Sequence, residues 1–302
     1  TGAGSVIITA HRDRPDLDTL ASALARLHTH GHSPSWESLY PQTQTVALPT
    51  YPFQHRRYWL TPATTADVSA AGLHRPEHPL LGAITTVADQ DQTLISGRLS
   101  ASTQGWLADH RVGGAVVFPA TGFLDLVLYA GGHVGCPGVD ELVLHTPLVL
   151  VDDHPTDVQI AVHPVSETGR RSVTVHARSS VDQHDSTWVL HASASLSAEQ
   201  IPPPAPRELG AVEAIDVGGF YDELAGAGLQ YGPRFHGVVA LGHDPTDPNT
   251  VCAEIVLPAD VDIGGYTLHP ALLDAALHPL VCLDGFDADP TGPRVPFALA
   301  GV

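Results

Sequence analysis

Lysine and methionine are both missing from this chain of 302 residues, and arginine supplies all 14 of its basic side chains. That usage points to a GC-rich coding sequence, and a chain without a start residue of its own reads as a piece of a longer polypeptide. Acidic residues number 33, which gives a formal net charge of −19. A field of that sign repels phosphate backbones and anionic lipid surfaces, so neither nucleic acid nor a membrane is expected as a partner. Cysteine is nearly as scarce: Cys136, Cys252 and Cys282 are widely spaced and form no CxxC pair. Neither a disulfide framework nor a cysteine zinc site is indicated, and a reducing cytoplasm suits the chain best. Nothing approaches the ~20 apolar residues of a membrane span, and the opening TGAGSVIITAHR lacks the basic n-region and apolar core of a signal peptide. Charged residues make up 16% and hydrophobic ones 43%, a balance that excludes disorder and provides for a sizeable core.

What is present is strong periodicity. Pro15 suits the first turn of a helix, Asp16 and Asp18 complement its dipole, Leu17, Leu20, Leu24 and Leu27 form one stripe, and Gly31 ends it. A proline- and aromatic-rich stretch, LPTYPFQHRRYWL (48–60), and the small-residue run TPATTADVSAAG follow, so a domain boundary is expected between about 60 and 74. From 78 to about 198, short β-branched runs (ITTVA, TLISGRL, ELVLHTPLVLV, DVQIAVHPV, SVTVHARS and TWVLHASASL) read as antiparallel strands. Among them one helical run, TGFLDLVLYAG, opens after Pro119 and ends at Gly131 and Gly132, so a sheet wrapped round a single helix is expected. IPPPAP (201–206) is a stiff spacer and a second boundary. Beyond it the order partly repeats, with a helix GFYDELAGAG, strands near 235–241 and 251–257, and a second buried helix, PALLDAALHPL, from Pro270. The layout is α+β, with units at 1–73, 74–200 and 207–302. Only VPFALAGV follows the second buried helix, so by the repeat argument the last unit is expected to lack roughly 40 to 80 residues.

Three places carry candidate chemistry. His110 lies in WLADHRVGGAVVFPATGFLDL between Trp106 and a glycine pair, with Pro119 nine positions on, a spacing of HxxxGxxxxP. Imidazole titrates near neutral pH, and a turn of Gly113 and Gly114 lets backbone approach a ligand closely. With 19 histidines in the chain, an ordinary surface histidine is the plain alternative. Asp274, in LHPALLDAALH, is an acid inside an apolar helix, with His278 four residues later on the same face. A buried carboxylate is costly unless it is paired or protonated. A half-exposed acid with an i,i+4 partner is the alternative, against which Leu272, Leu273 and Leu277 weigh. YGPRFHG (231–237) reads as a tight turn in which Gly232 and Pro233 shape the backbone and Tyr231 offers a hydroxyl. His28, His30 and His32 alternate, and His74 and His78 bound HRPEH, but the trio straddles a helix end and HExxH is absent, so no metal site is expected. GxGxxG, GxxxxGK[ST] and GxSxG are missing as well, which argues against nucleotide cofactors and serine hydrolases.

Taken together, HxxxGxxxxP from His110 to Pro119, YGPRF from Tyr231 to Phe235 and HPALLDAALH from His269 to His278 resemble the dehydratase domain of modular type I polyketide synthases. HPLLGA (78–83) is similar to that domain's opening, LPTYPFQHRRYWL to the linker after the acyltransferase, and residues 1 to about 40 to the acyltransferase's trailing end. The resemblance implies a double hotdog, two tandem units in each of which a sheet wraps one long helix, each half giving one residue to a shared cleft. It implies that a 3-hydroxyacyl chain, carried on the phosphopantetheine of an acyl carrier protein, loses water to give a 2-enoyl thioester, with His110 as base and Asp274 as acid. No cofactor of the domain's own is implied. Tyr231, His278, Gly114, Pro119, Gly232 and Pro233 are the supporting positions, and amides at the helix start after Pro119 would face the thioester oxygen. Ala120 stands where that family usually has glycine and His278 where glutamine is also common, and neither change removes a catalytic group. The implied partners are the carrier protein, neighbouring synthase domains and a second copy in a homodimer. Arg111, Arg234 and Arg294 could give the carrier a local basic contact, with solvated arginines as the alternative. A variant that shifts the double bond or closes an oxygen heterocycle would use the same two residues. A non-catalytic structural or dimerisation module would have no chemical need for both.

Overall fold

The computed structural model describes residues 15–39, 68–151, 154–179, 187–199, 212–283 and 293–302, with the single residues 13, 202 and 205. Residues 48–60 and most of IPPPAP lie outside the described residues. The chain divides into two compact units, Thr1–Pro62 and Ala63–Val302. In the first, α1 (Asp16–Thr29) follows Pro15, with Asp16 and Asp18 in its first turn and Arg26 and His28 in its last, the arrangement the helix dipole favours. Gly31 (φ 89°) ends it, and α2 (Trp36–Leu39) follows. Of the expected stripe, Leu17 and Leu20 are exposed, and Ala23 is the buried residue of α1.

The second unit runs β1 (Leu81–Val87), β2 (Gln92–Leu99), β3 (His110–Val112), β4 (Ala115–Val116), α3 (Ala120–His133), β5 (Gly138–Leu144), β6 (Thr156–Val165), β7 (Arg171–Ser179) and β8 (Val189–Ser197). Then come β9 (Glu213–Ile215), α4 (Phe220–Gly226), β10 (Leu229–Tyr231), β11 (Val238–Asp244), β12 (Asp247–Ile255), α5 (Pro270–Leu277) and β13 (Ala298–Ala300). An antiparallel seven-stranded sheet, ordered β1-β2-β6-β7-β8-β5-β13, packs one face on α3. The alternation that predicts these strands is the alternation that buries them: Val158, Ile160 and Val162 of β6 and Val173, Val175 and Ala177 of β7 all point at the helix. Helix α3 is buried without interruption from Thr121 to Val127, so it has no polar face. The second hydrophobic cluster, Phe220, Leu224, Leu229, Val238 and Leu241, comes from α4, β10 and strand β11 of the smaller sheet β12-β11-β9. A third sheet, β10-β3-β4, joins strands from both halves.

Two expectations are corrected. The run ELVLHTPLVLV is not one strand: β5 ends at Leu144, and Pro147, which has no N–H, stands where the ladder would continue. Its remainder pairs instead with the segment that leads into α3, where Phe118 donates to Leu148 O and Leu150 to Val116 O. VPFALAGV (295–302) places β13 on strand β5 of the large sheet. Helix α5 is less enclosed than its leucines suggest, because Pro270, Ala271, Asp274 and Ala275 form its buried face while Leu272, Leu273 and Leu277 are half-buried.

Helix α3 also runs past the expected stop at Gly131 and Gly132. It closes in a Schellman motif, with Gly135 at φ 73°, the Cys136 amide on Gly131 O at 2.8 Å and the Gly135 amide on Gly132 O at 3.3 Å. The two helical glycines therefore have opposite roles. A Cβ on Gly131 would lie 2.4 Å from the Cys136 carbonyl oxygen, whereas one on Gly132 meets nothing. Gly131→Ala is expected to cost about 1–3 kcal/mol despite alanine's higher helix propensity. Gly132→Ala is expected to gain up to about 1 kcal/mol, and urea melts of the two variants check the opposite signs.

Candidate active site

His110 opens β3 directly after a 3-10 turn, Gly105–Asp109, anchored by buried Trp106 and Leu107. The turn between β3 and β4 has Gly113 and Gly114 at φ 58° and 85°, the type I′ hairpin geometry that favours glycine. Their amides are spent on β10, Gly113 donating to Gly228 O at 2.8 Å and Gly114 to Gln230 Oε1 at 3.0 Å. Their function is to turn the chain, and neither lines the cavity described below. His110 Nδ1 lies 2.7 Å from Val117 O. A carbonyl only accepts, so the ring carries its proton on Nδ1, and Nε2 presents a lone pair in the neutral form. That lone pair faces Asp274 Oδ2 at 3.7 Å, with both side chains 8% exposed.

Asp274 comes from the other half. His269 caps α5, its Nδ1 accepting the Ala271 amide at 3.2 Å, and Pro270 takes the first position, where a missing N–H costs nothing. Asp274 is then held on both oxygens. His278 Nε2 approaches Oδ2 at 3.0 Å, and the Thr121 hydroxyl at the start of α3 lies 3.4 Å from Oδ1 and 3.1 Å from Pro270 O. His278 Nδ1 is buried without a partner, so the tautomer that donates from Nε2 to Asp274 leaves only a lone pair unsatisfied.

The pairing of β10 with β3 sets Tyr231 directly opposite His110. The phenol ring stacks on His278 at 4.0 Å, and burial above all pushes its ionisation far above the usual range, so it remains an O–H donor. Gly232 and Pro233 fasten this strand to the residue before the histidine. The Gly232 amide donates to Asp109 O at 2.7 Å, and a Cβ on Gly232 would sit 2.5 Å from Asp109 Cγ. Asp109 also accepts the Arg234 amide and guanidinium at 3.1 and 3.3 Å, and Asp260 lies 3.6 Å from the same guanidinium. Phe235, fully buried, packs on Trp106 and His110. Burying that ring stabilises the join of the halves by roughly 2–3 kcal/mol.

Pro119 caps α3, and its carbonyl takes the amides of Gly122 and Phe123, which leaves those of Ala120 and Thr121 at the open end of the helix. A cavity of about 310 Å³ reaches this point, lined by His110, Ala120, Phe123, Thr146, Asp274 and Phe297 among others. A larger groove of about 1300 Å³, lined by Arg98, Asp157, Arg178 and Trp188, contains neither His110 nor Asp274. Among the described residues no group of three or more His, Cys, Asp or Glu is arranged to hold a metal. The residues that sequence reasoning missed are Asp109, Thr121, Phe235 and His269. In sequence Asp109 and Thr121 are polar residues beside motifs with no pattern to mark them, while His269 and Phe235 sit within motifs without breaking the local pattern.

Two family models match the chain: polyketide synthase dehydratase domain over residues 78–178, and polyketide synthase dehydratase N-terminal domain over 199–302. A solved dehydratase from work on the borrelidin and fluvirucin polyketide synthases is 41% identical with a TM-score of 0.70, the match covering 78% of this chain and 83% of that one. The chain belongs to the polyketide synthase dehydratase family. The architecture is accordingly α+β of the double-hotdog type. Polyketide synthase GfsB of Streptomyces halstedii is 41% identical over 305 residues, 96% of this chain and 5% of that protein, so the chain spans a small fraction of such a relative's length. Two inactive mutants of the CurK dehydratase of the curacin synthase, one Asp→Asn and one His→Phe, are 26% and 25% identical with TM-scores of 0.58 and 0.63. These matches cover 67% and 74% of this chain and 73% and 80% of those chains.

His269 makes the site's stability sensitive to acid. Burial disfavours its cation and lowers its pKa from 6.5 to about 4, with Asp125 and Asp262 pulling weakly the other way. The unfolded chain takes up a proton near pH 6.5 that the folded chain refuses until about pH 4, so stability is full above that window and falls as pH drops through it. His269→Asn keeps an acceptor for the Ala271 amide and removes the titration. Its unfolding free energy, followed from pH 7 to 4, is expected to fall less steeply than that of the parent.

Proposed function

We propose that this dehydratase removes water from a 3-hydroxyacyl thioester to give the 2-enoyl product, with His110 as base and Asp274 as acid. The observation that carries the reading is the meeting of one imidazole and one carboxyl, each from a different half, at 3.7 Å on the wall of an apolar cavity. The C2 proton is weakly acidic and hydroxide is a poor leaving group, so a base and an acid must act on adjacent carbons. His110 Nε2, its lone pair aimed by the Nδ1 bond to Val117 O, takes the C2 proton. Protonated Asp274 gives its proton to the departing C3 hydroxyl, and the C–O bond breaks as the C2–C3 double bond forms. The pair is left as imidazolium and carboxylate, and transfer of that proton across the gap restores both for the next turnover.

Around this pair the other residues orient and polarise. His278 and Thr121 hold the carboxyl, and Tyr231 supplies an un-ionised hydroxyl. The open amides of Ala120 and Thr121 are placed to meet the charge that develops on the thioester oxygen. An inactive Asp→Asn and an inactive His→Phe mutant of the similar CurK dehydratase agree with a two-residue mechanism. The substrate would arrive on the phosphopantetheine of an acyl carrier protein, the domain needing no cofactor of its own, within a cytoplasmic, homodimeric synthase. A purely structural module is disfavoured, because it gains nothing from an acid and a base buried face to face.

Mass spectrometry of a synthetic (3R)-3-hydroxyacyl carrier protein incubated with the chain is the test. Loss of one water is expected with the parent. His110→Ala and Asp274→Asn are each expected to reduce the rate by on the order of 10²–10⁴-fold while remaining folded. A folded parent that leaves the mass unchanged, or variants that turn over at the parent rate, would overturn the assignment.

A further inference from the structure

The His78–Asp125 pair takes no part in the reaction above, yet it is the most deeply buried imidazole–carboxylate pair among the described residues, its side chains 0% and 1% exposed. Asp125 lies in the middle of α3, inside the apolar core, and it uses both oxygens. Oδ2 meets His78 Nε2 at 2.6 Å, while Oδ1 accepts the amides of Thr267 and Leu268 at 2.9 and 3.1 Å. Those two amides immediately precede His269, the cap of the helix that carries Asp274. His78 is itself oriented from behind: its Nδ1 accepts the Leu80 amide at 3.2 Å, so the ring proton lies on Nε2 and points at Asp125.

The surroundings tighten the same joint. Tyr129 of α3 and Tyr266 of the incoming loop stand edge-on to the His78 ring at 5.0 and 5.3 Å. Gly265, at φ 82°, brings the loop so near the segment ahead of β1 that a Cβ there would lie 2.4 Å from Glu77 O. Tyr266 accepts the Trp106 indole N–H at 3.0 Å, Trp106 packs on Phe235, and Phe235 packs on His110. Two routes therefore leave one carboxylate, one through the Thr267 and Leu268 amides to Asp274 and one through Tyr266 and Trp106 to His110.

We propose that the His78–Asp125 pair is a positioning device that fixes the 264–269 loop and thereby keeps Asp274 within reach of His110. The inference rests on the assignment of those two residues as acid and base. Helix α5 needs such a fastening because it has only eight residues and half of them are half-buried or exposed. Displacing a catalytic group by about 1 Å can cost 10²-fold in rate, so a fixed loop ahead of the helix has a direct catalytic consequence.

The test compares Asp125→Ala, Asp125→Asn and His78→Phe in the dehydration assay and in hydrogen exchange read by mass spectrometry. In Asp125→Ala, exchange is expected to accelerate across 264–274 while β6 and β7 keep their protection. Its kcat should fall about 10- to 100-fold with KM within about twofold, the signature of a lost transition-state geometry. Asp125→Asn retains an oxygen for the two amides and should recover most of the protection and most of kcat. His78→Phe keeps the ring between the two tyrosines but leaves Asp125 Oδ2 without its N–H donor, and should show the same local loosening. If Asp125→Ala does not fold, Asp125→Asn against His78→Phe makes the same comparison. Unchanged exchange at 264–274, uniform acceleration through the sheet, or an asparagine variant no better than alanine would each overturn the proposal. The exchange result does not depend on turnover. A parent that releases no water while the loop responds as expected would sink the dehydration reading and leave the positioning role standing.

Discussion

Three residue pairs between β10 and β3 join the site together. Leu229, Gln230 and Tyr231 face Val112, Arg111 and His110 in antiparallel register, and this is where a strand of the second half enters a sheet with strands of the first. Because side chains alternate along a strand, a slip of one residue would turn Tyr231 away from the site. The register is fixed from outside the strand by Asp109, which takes the amides of Gly232 and Arg234 and tolerates only glycine beside it. His110 and Asp274 lie on separate halves, so their distance is only as well defined as this join and the Phe235 ring that seals it.

The two helices play unequal parts in that arrangement. Helix α3 is buried against the large sheet through β5, β6 and β8, and its first turn supplies Thr121 and the open amides. Helix α5 presents one narrow buried face, made of proline, two alanines and the acid itself. Small residues let the helix approach closely: a Cβ on Gly237 would lie 2.7 Å from that of Ala275. The same small residues leave it little apolar area to hold its own position. Its placement is therefore set at its N-terminus, by the His269 cap and the amides bound to Asp125, more than by packing along its length.

Much of this was legible in the chain. The strands alternate and α3 does not, and this contrast is the difference between a half-covered sheet and a helix buried all round. His110 and Asp274 stood out because each breaks the pattern around it, an imidazole ahead of a glycine turn and an acid among leucines. The same signal is present at Asp125, an acid inside the apolar helix run GFLDLVL. Pairing across long separations left no local trace. Nothing in ALA at 298–300 indicates β5 as its partner, and nothing in HPLLGA indicates that its histidine reaches into α3. The break in 141–151 was readable from Pro147, whose missing N–H outweighs the β-branched residues around it.

The distribution of buried polarity bears on why these residues are here at all. Twelve polar or charged side chains are buried among the described residues, and seven of them, His78, His110, Thr121, Asp125, His269, Asp274 and His278, lie where α3, β3 and the approach to α5 meet. Each costs desolvation, and two of the imidazoles leave a nitrogen unsatisfied. A fold maintained for stability alone would gain by exchanging such a cluster for apolar side chains of similar volume, which is often neutral or favourable by about 1–4 kcal/mol. The large sheet comes closer to that rule, its inner face dominated by valine, isoleucine, leucine and alanine, with Thr93, Thr156, His191 and Ser197 the buried polar residues of its strands. Desolvated groups that would weaken a core are also the groups whose proton affinities respond most strongly to one another. Their concentration at one seam, beside an apolar cavity, is what proton transfer between a base and an acid requires.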